Sequence, residues 1–391
     1  MSSVITRSKF DVVVVGRGLL GSAAGRYLAK MGLRTALIGP DEPMDYSLDS
    51  ALFSSHYDES RILRLSAMNR ISTELTARSH ARFDYLERQS GIKFYQKCDL
   101  VFTDNEREDR ISFAKEKGAK ICELSAEHLL KITGIRIEAE TDRRIFLEST
   151  PAGIVNPRGL LKAECKLASA AGAVILNGSV TDIQPKANAF EIAGDYGTIC
   201  TSQILLATGA YDTRLLDIDL ELERRFRTVV LVDVGPDWLP MFIFENSQNR
   251  EPKKIYWVPP LLYPDGKQYL KIGGTIATSR IGEVAAIADW FQQGGDEIEG
   301  VALLEYAKYL LPGKNFQSRH FKACVDIYTP SGFPYIGWIT NGIALALGGN
   351  GEAAKSCDEI GRLAATLFMS GGWDGDSLDQ EMFTPQIRAG L

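Results

Sequence analysis

Phe10-Asp11-Val12-Val13-Val14-Val15-Gly16-Arg17-Gly18-Leu19-Leu20-Gly21 lies near the start of the chain. Four consecutive valines leave no polar face, which is the pattern of a strand covered on both sides in a parallel sheet. Glycines follow at 16, 18 and 21 in the order Gly-x-Gly-x-x-Gly. They permit a tight turn and a close approach of backbone to a pyrophosphate, and the next helix turns its partly positive N-terminus toward the phosphates. Leu20, Ala24, Tyr27, Leu28 and Met31 recur at helical spacing as far as Gly32, a helix stop. Thr35 to Ile38 reads as the next strand. The glycines alone are a weak signal; between a strand and a helix, in a complete β-α-β unit, they are a strong one. A carboxylate normally ends the second strand and holds the ribose hydroxyls. Here that position falls near Gly39, with Asp41 and Glu42 just beyond, so either Asp41 reaches back or ribose recognition is weaker.

Outward from this unit the strand–helix alternation returns twice. Pro157 to Ala171 reads as a helix, with Ala173 to Leu176 and Gln203 to Ala207 as strands. Ile343 to Leu347, a glycine-rich turn and Ala353 to Met369 read as strand, turn and helix. Residues 92–103 and 228–276 differ: they are rich in aromatic and β-branched residues with Pro and Gly turns, the composition of antiparallel strands. The expected fold is α/β plus antiparallel β: a Rossmann-type nucleotide-binding domain from residues 1–88, 150–225 and 330–391, with an antiparallel-sheet substrate domain from 89–149 and 226–329 inserted. The run Ile204-Leu205-Leu206-Ala207-Thr208-Gly209-Ala210 resembles the strand that closes the nucleotide sheet in many flavoproteins, which favours FAD over NAD.

Composition narrows the function classes. A net charge of −6 and a pI near 5.5 argue against a nucleic-acid binder. Cys98, Cys122, Cys165, Cys200, Cys324 and Cys357 are scattered with no Cys-x-x-Cys pair, so neither a disulfide framework nor a metal site is expected. No apolar run approaches 18 residues and no leader pattern precedes Phe10, so a cytoplasmic protein without a membrane span is expected.

Five motifs in order resemble the family of monomeric sarcosine oxidase, N-methyltryptophan oxidase and pipecolate oxidase, which are FAD-dependent amino acid oxidases. They are the N-terminal glycines, Asp58-Glu59-Ser60-Arg61-Ile62-Leu63-Arg64, Tyr269-Leu270-Lys271-Ile272-Gly273, Lys322-Ala323-Cys324, and Gly348-Gly349-Asn350-Gly351-Glu352-Ala353-Ala354-Lys355. The likeness runs over nearly the whole chain. It implies FAD bonded covalently through Cys324, a buried structural cysteine being the alternative reading. It implies that Lys271 promotes oxygen reduction, where a cation stabilises the charge that develops; strand alternation by itself would equally let Lys271 face water. Arg61 is implied beside the flavin, and Arg64 with Lys355 on the substrate carboxylate, a group that an arginine fork suits. Gly16, Gly18, Gly21, Asp41, Ser60, Val180, Gly209, Gly349 and Gly351 complete the implied cofactor contacts.

Three departures bear on specificity. Asp326 stands where the family has a tyrosine, and Thr275 and Glu352 where it has histidines. Asp326 or Glu352 is expected to meet a cationic or polar substrate side chain, with hydrogen-bonded scaffolding as the alternative. Trp257 is expected to wall the substrate pocket, or to be a packed sheet tryptophan, and His56 to be a loop histidine or a flavin neighbour. The implied reaction oxidises a small primary, N-alkyl or cyclic amino acid with O2 to an imine and hydrogen peroxide, in a monomer. The alternatives are a dehydrogenase with another electron acceptor and a non-catalytic FAD-binding protein.

Overall fold

The computed structural model describes residues 9–48, 52–104, 108–138, 143–211, 214–216, 218–235, 238–246, 251–276 and 280–388. Among these, nineteen strands and eight α-helices, numbered in chain order, make up three sheets and their cover. The first sheet joins β1 (Lys9–Val15), β2 (Thr35–Ile38), β9 (Val174–Leu176), β10 (Val180–Lys186), β11 (Ala189–Gly194), β12 (Gly197–Leu206), β18 (Tyr335–Thr340) and β19 (Ile343–Leu347). Its centre, in the order β9-β2-β1-β12-β19, is wholly parallel, and the β10-β11 hairpin and β18 add antiparallel edges.

The valine run explains why β1 sits in the middle. Val12 and Val14 face one core with Ala24, Leu28 and Leu363, while Val13 and Val15 face another with Ile199, Ile204 and Leu345. Both faces are dry, so neither has room for a polar residue. On the first face α1 (Leu19–Lys30) lies between α5 (Pro157–Ala170) and α8 (Ala353–Thr366), and α8 packs on α2 (Arg70–Ser90). Gly361 permits the close α1–α8 approach, since a Cβ there would overlap Ala23 and the backbone of Ala24. The expected helix 157–171 and strands 35–38 and 343–347 agree with α5, β2 and β19.

The second sheet runs β17 (Arg319–Tyr328), β13 (Glu223–Val232), β16 (Gln268–Thr275), β15 (Lys254–Leu262), β14 (Met241–Glu245), β5 (Leu100–Asp104), β7 (Arg144–Thr150), β6 (Lys120–Leu124). Every pairing is antiparallel except β5 with β14. Val230, Trp257, Leu270 and Ile272 on one face bury against Leu303 and Ala307 of α7 (Glu297–Leu310) and Leu129 of α4 (Ala126–Thr133). α3 (Glu108–Glu116) and α6 (Ile287–Gln293) cover flanking parts. A small antiparallel sheet of β3 (Arg61–Leu63), β8 (Gly153–Val155) and β4 (Tyr95–Lys97) lies apart from both large sheets. The chain is thus a Rossmann-type nucleotide fold joined to a mostly antiparallel sheet. No helix among the described residues is long and apolar enough to cross a membrane.

Candidate active site

One cavity of about 880 Å³ runs from the glycine turn of the first sheet to the uncovered face of the second. At the first end, Gly16 holds φ +111°, and a Cβ on it would overlap the Ala207 carbonyl. A Cβ on Gly21 would overlap the Gly16 carbonyl oxygen, so helix and strand meet there only through glycine. Gly18 caps α1 with no side-chain acceptor, and no acidic residue follows in the first turn. Uncapped N–H groups and an unopposed helix dipole suit the pyrophosphate of FAD. Gly16, Gly18, Gly39, Val180 and Gly209 line this end.

Asp41 does not reach back. Its side chain is 68% exposed, pairs with Arg17 and accepts from Asn177 Nδ2 at 2.8 Å, and it is no part of the cavity wall. The Arg17 backbone packs against Gly39, where a Cβ would collide, so the strand end has no space for the usual carboxylate.

At the other end the period of two decides what β14 and β15 turn to the cavity, while β17 lines it with every residue from Lys322 to Tyr328. Ile243 and Glu245 of β14, Lys254, Tyr256 and Val258 of β15, Lys271 and Thr275 of β16, Arg225 and Arg227 of β13, and Lys322, Cys324, Asp326 and Tyr328 of β17 all line it. Trp257, one residue out of phase, points the other way. It is fully buried in the core, stacked on Phe242 at 4.0 Å, and its Nε1–H donates to the Pro240 carbonyl at 3.0 Å. The pocket role expected of Trp257 is therefore corrected: its neighbour Tyr256 holds that place, its ring lying where a Cβ of Gly273 would be.

Lys271 is 2% exposed. Its ammonium bonds the Asp58 carboxylate and donates to the Ser60 carbonyl at 2.8 Å. Burial and the adjacent Arg61 charge bring it down to about 8, against the pull of Asp58. Ser60 meets the site only through that carbonyl, which Arg61 also reaches at 2.8 Å; it does not line the cavity, contrary to its expected cofactor contact. Arg61 lies with its guanidinium 3.9 Å from Cys324 Sγ. Burial, and then Asp326, push the Cys324 thiol up, while Arg61 and Lys271 pull the other way. Trp290 Nε1–H fixes the Cys324 carbonyl at 3.1 Å.

Arg64 and Lys355 meet the cavity from the loop after β3 and the first turn of α8. Arg64 is 5% exposed and, among the described residues, has no carboxylate within 4 Å; its nearest polar partner is Met68 Sδ at 3.8 Å. Lys355 donates to Glu352 Oε1 at 2.8 Å. Burial pushes Glu352 upward, but Lys355 and Arg64 overcome it and hold the acid at about 2. Asp326 Oδ2 is 3.7 Å from Arg227 Nε. Gly349 and Gly351 line the cavity ahead of α8, whose N-terminus has no side-chain cap. His56 also lines it, and burial lowers its imidazole to about 3.

Sequence reasoning missed Asp58, Tyr256, Lys254 and Glu245. Stepping by two along β15 gives Lys254 and Tyr256, and pairing that strand with β16 puts them on the face of Lys271. Asp58 had no such signal, being 213 residues from its partner.

Residues 11–367 match the sequence model of a family described as FAD dependent oxidoreductase (DAO). Monomeric sarcosine oxidase of Bacillus sp. (strain B-0618) is 24% identical over 396 residues, covering 98% of each chain. N-methyl-L-tryptophan oxidase of Yersinia pestis (strain Pestoides F) is 27% identical over 215 residues, 53% of this chain and 55% of its own. Among solved structures, NikD, an amino acid oxidase of nikkomycin biosynthesis, in its open form has a TM-score of 0.78 at 19% identity, covering 98% of both chains. Glycine oxidase of Geobacillus kaustophilus gives 0.72 at 21% identity, covering 98% of this chain and 100% of its own.

Proposed function

The chain belongs to the family of FAD-dependent oxidoreductases, and on that premise we propose that it oxidises a small primary, N-alkyl or cyclic amino acid with O2, giving an imine and hydrogen peroxide. The observation that carries the substrate class is Arg64. A guanidinium this buried with no directly bonded carboxylate is costly, Glu352 and Glu245 acting on it only from beyond 4 Å among the described residues, and it lines the same cavity as the glycine turn. A substrate carboxylate supplies the missing anion, with Lys355 as a second donor. Bound FAD supplies the two-electron acceptor for the C–H bond next to nitrogen. The cavity's many cations favour the uncharged amine, the form able to give up that hydrogen with its electron pair. Lys271 places a positive charge where reduction of O2 builds up a negative one.

We further propose that Cys324 anchors FAD, with Arg61 beside the ring. Its place on the cavity wall, with the Arg61 guanidinium 3.9 Å from Sγ, supports the role; burial and Asp326 hold the thiol up, so the thiolate depends on Arg61 and Lys271 pulling the other way. Residues 1–88, 150–225 and 330–391 act as the FAD-binding part, 89–149 and 226–329 as the substrate part. The protein works as a monomer in the cytoplasm, where six unpaired thiols fit.

Peroxide release with a panel of amino acids tests the main reading; no peroxide from any carboxylate-bearing amine refutes it. Lys271→Met is expected to slow reoxidation by oxygen far more than reduction by substrate, in stopped-flow traces of each half-reaction. Acid precipitation tests the anchor: yellow colour is expected in the pellet, and colour in the supernatant removes Cys324 from the role.

A further inference from the structure

Asp58 closes a buried cluster that joins the loop before β3 to the second sheet. One of its oxygens, Oδ2, accepts from both the Lys271 ammonium and the Arg61 guanidinium. The other, Oδ1, accepts from the Tyr263 hydroxyl at 3.0 Å and the Glu59 N–H at 2.8 Å. Burial pushes its acid form up, yet Lys271 and Arg61 hold it far below the usual carboxylate range. It is the one carboxylate within ion-pair distance of Lys271 among the described residues.

The other charged and titratable groups that act on Lys271 do not replace it. Arg61 from β3 opposes the ammonium, while Cys324 from β17 favours it only as a thiolate. Lys322 of β17 shares the influence of Asp58. Tyr256 of β15 and Tyr263 are pushed upward by burial and stay neutral. Two cations therefore converge on one carboxylate oxygen in a largely buried site, with Arg61 24% exposed. Without that oxygen they repel each other, and the one that yields its proton is the lysine, since a guanidinium does not.

We propose that Asp58 is the positioning residue of the oxygen site: its carboxylate keeps Lys271 protonated and fixed beside Arg61, so that one net positive charge faces the flavin. The inference rests on the reading of Lys271 given under Proposed function. It goes further in making the charge on Lys271 depend on a residue 213 positions away. It also separates two functions of one ion pair. As a tie, Asp58 holds the loop 54–60 to β16; as a counterion, it sets the pH at which Lys271 loses its charge.

The test is an NMR titration of the holoprotein labelled with 13C at the lysine Cε, with the Lys271 resonance assigned by its loss in Lys271→Met. In the wild type the Lys271 midpoint is expected near 8; a midpoint below about 7 overturns the proposal without any variant. In Asp58→Asn the midpoint is expected to fall by ~1–3 pH units, the usual effect of one close opposite charge. A fall of one to two units leaves roughly 5- to 50-fold less protonated lysine at pH 8, and the oxygen half-reaction should slow by a like factor and recover at lower pH. Asp58→Glu, which keeps the charge, should restore the midpoint. If Asp58→Asn loses thermal stability while the Lys271 midpoint and the pH profile stay in place, Asp58 is only a tie and the proposal is overturned. If the midpoint falls but Lys271→Met reoxidises at the wild-type rate, Asp58 keeps its hold on Lys271 and the oxygen role of Lys271 is what fails.

Discussion

Replacing Arg64 by methionine separates catalysis from stability. Methionine fills a similar volume without the charge, so no large void opens. Lys355 remains, but its ammonium is already bonded to Glu352 at 2.8 Å and substitutes only in part. Removing one partner of a desolvated charge pair then costs transition-state binding of about 2–4 kcal/mol, or roughly 30- to 900-fold in kcat/KM. Stability should move little. Burial and the Arg64 charge together hold Lys254 at about 8 and Arg110 at about 10. A cation whose folded value lies below its unfolded one costs stability at neutral pH, where both states are protonated. Taking Arg64 away raises both groups but also frees Glu352 and Glu245, which its charge helps hold down, so Arg64→Met is expected to change stability in urea unfolding by less than about 1 kcal/mol. The assay pairs the best amino acid substrate with its amide. Wild type should lose most of its rate on the amide, and Arg64→Met should treat the two nearly alike. A variant that still prefers the carboxylate as strongly as wild type does would refute the assignment.

Three further outcomes follow from the geometry. Gly21→Ala drives a Cβ into the Gly16 carbonyl, so the purified protein should carry little or no FAD, read as the ratio of 450 nm to 280 nm absorbance. Trp257→Ala empties part of the second core and should cost about 3–5 kcal/mol in chemical unfolding while leaving KM within a few-fold of wild type; a large KM change would return Trp257 to the pocket. His56, half-buried on the cavity wall, is neutral, with a folded value near 3 against 6.5 in the unfolded chain. Its contribution is intact above pH 6.5 and is lost as pH falls toward 3, because only the unfolded state takes up the proton. His56→Gln should flatten the acid limb of Tm against pH over that window, and an unchanged limb would show that other groups set it.

The parts of the fold read correctly from sequence are those where burial alone sets the residue type. Val12 to Val15 of β1, Ala36 to Ile38 of β2 and all of β19 are apolar because both their faces are covered. α2 escaped notice for the opposite reason. Its buried positions include Thr73, Glu74, Thr76, Ser79 and Glu87, and Arg78 and Arg82 on it bond Glu359, Arg82 also Asp358, in α8. A helix held by buried ion pairs has little apolar period to read.

The site shows the same division. Family resemblance pointed to Lys271, Cys324, Arg61, Arg64 and Lys355, and the structure brings all five to one cavity. Trp257 was misplaced by one step of strand alternation, a step fixed only once β15 pairs with β16. Asp41 was misplaced because nothing in the chain announces that the Arg17 backbone fills the space beside Gly39. The pairing of Asp58 with Lys271 and Tyr263 depends on tertiary contact, although its bond to Arg61 is local.

The parallel pairing of β12 with β19 also bears on how the protein is made. β1 finds a partner in β12, and β12 finds one in β19, which begins at residue 343. On the ribosome the valine strand can pair with β2 at once, but its other edge waits for β12, which ends at residue 206, and β12 in turn waits for β19. Pairing over that distance is slow, and an unpaired apolar strand invites association with other chains. Gly16 and Gly349 line the same cavity, so a nascent chain stopped before residue 343 lacks the glycine turn at 348–351 and Lys355. Retained yellow colour is therefore a mark of completed synthesis, and flavin content gives a direct reading of how many chains finished folding.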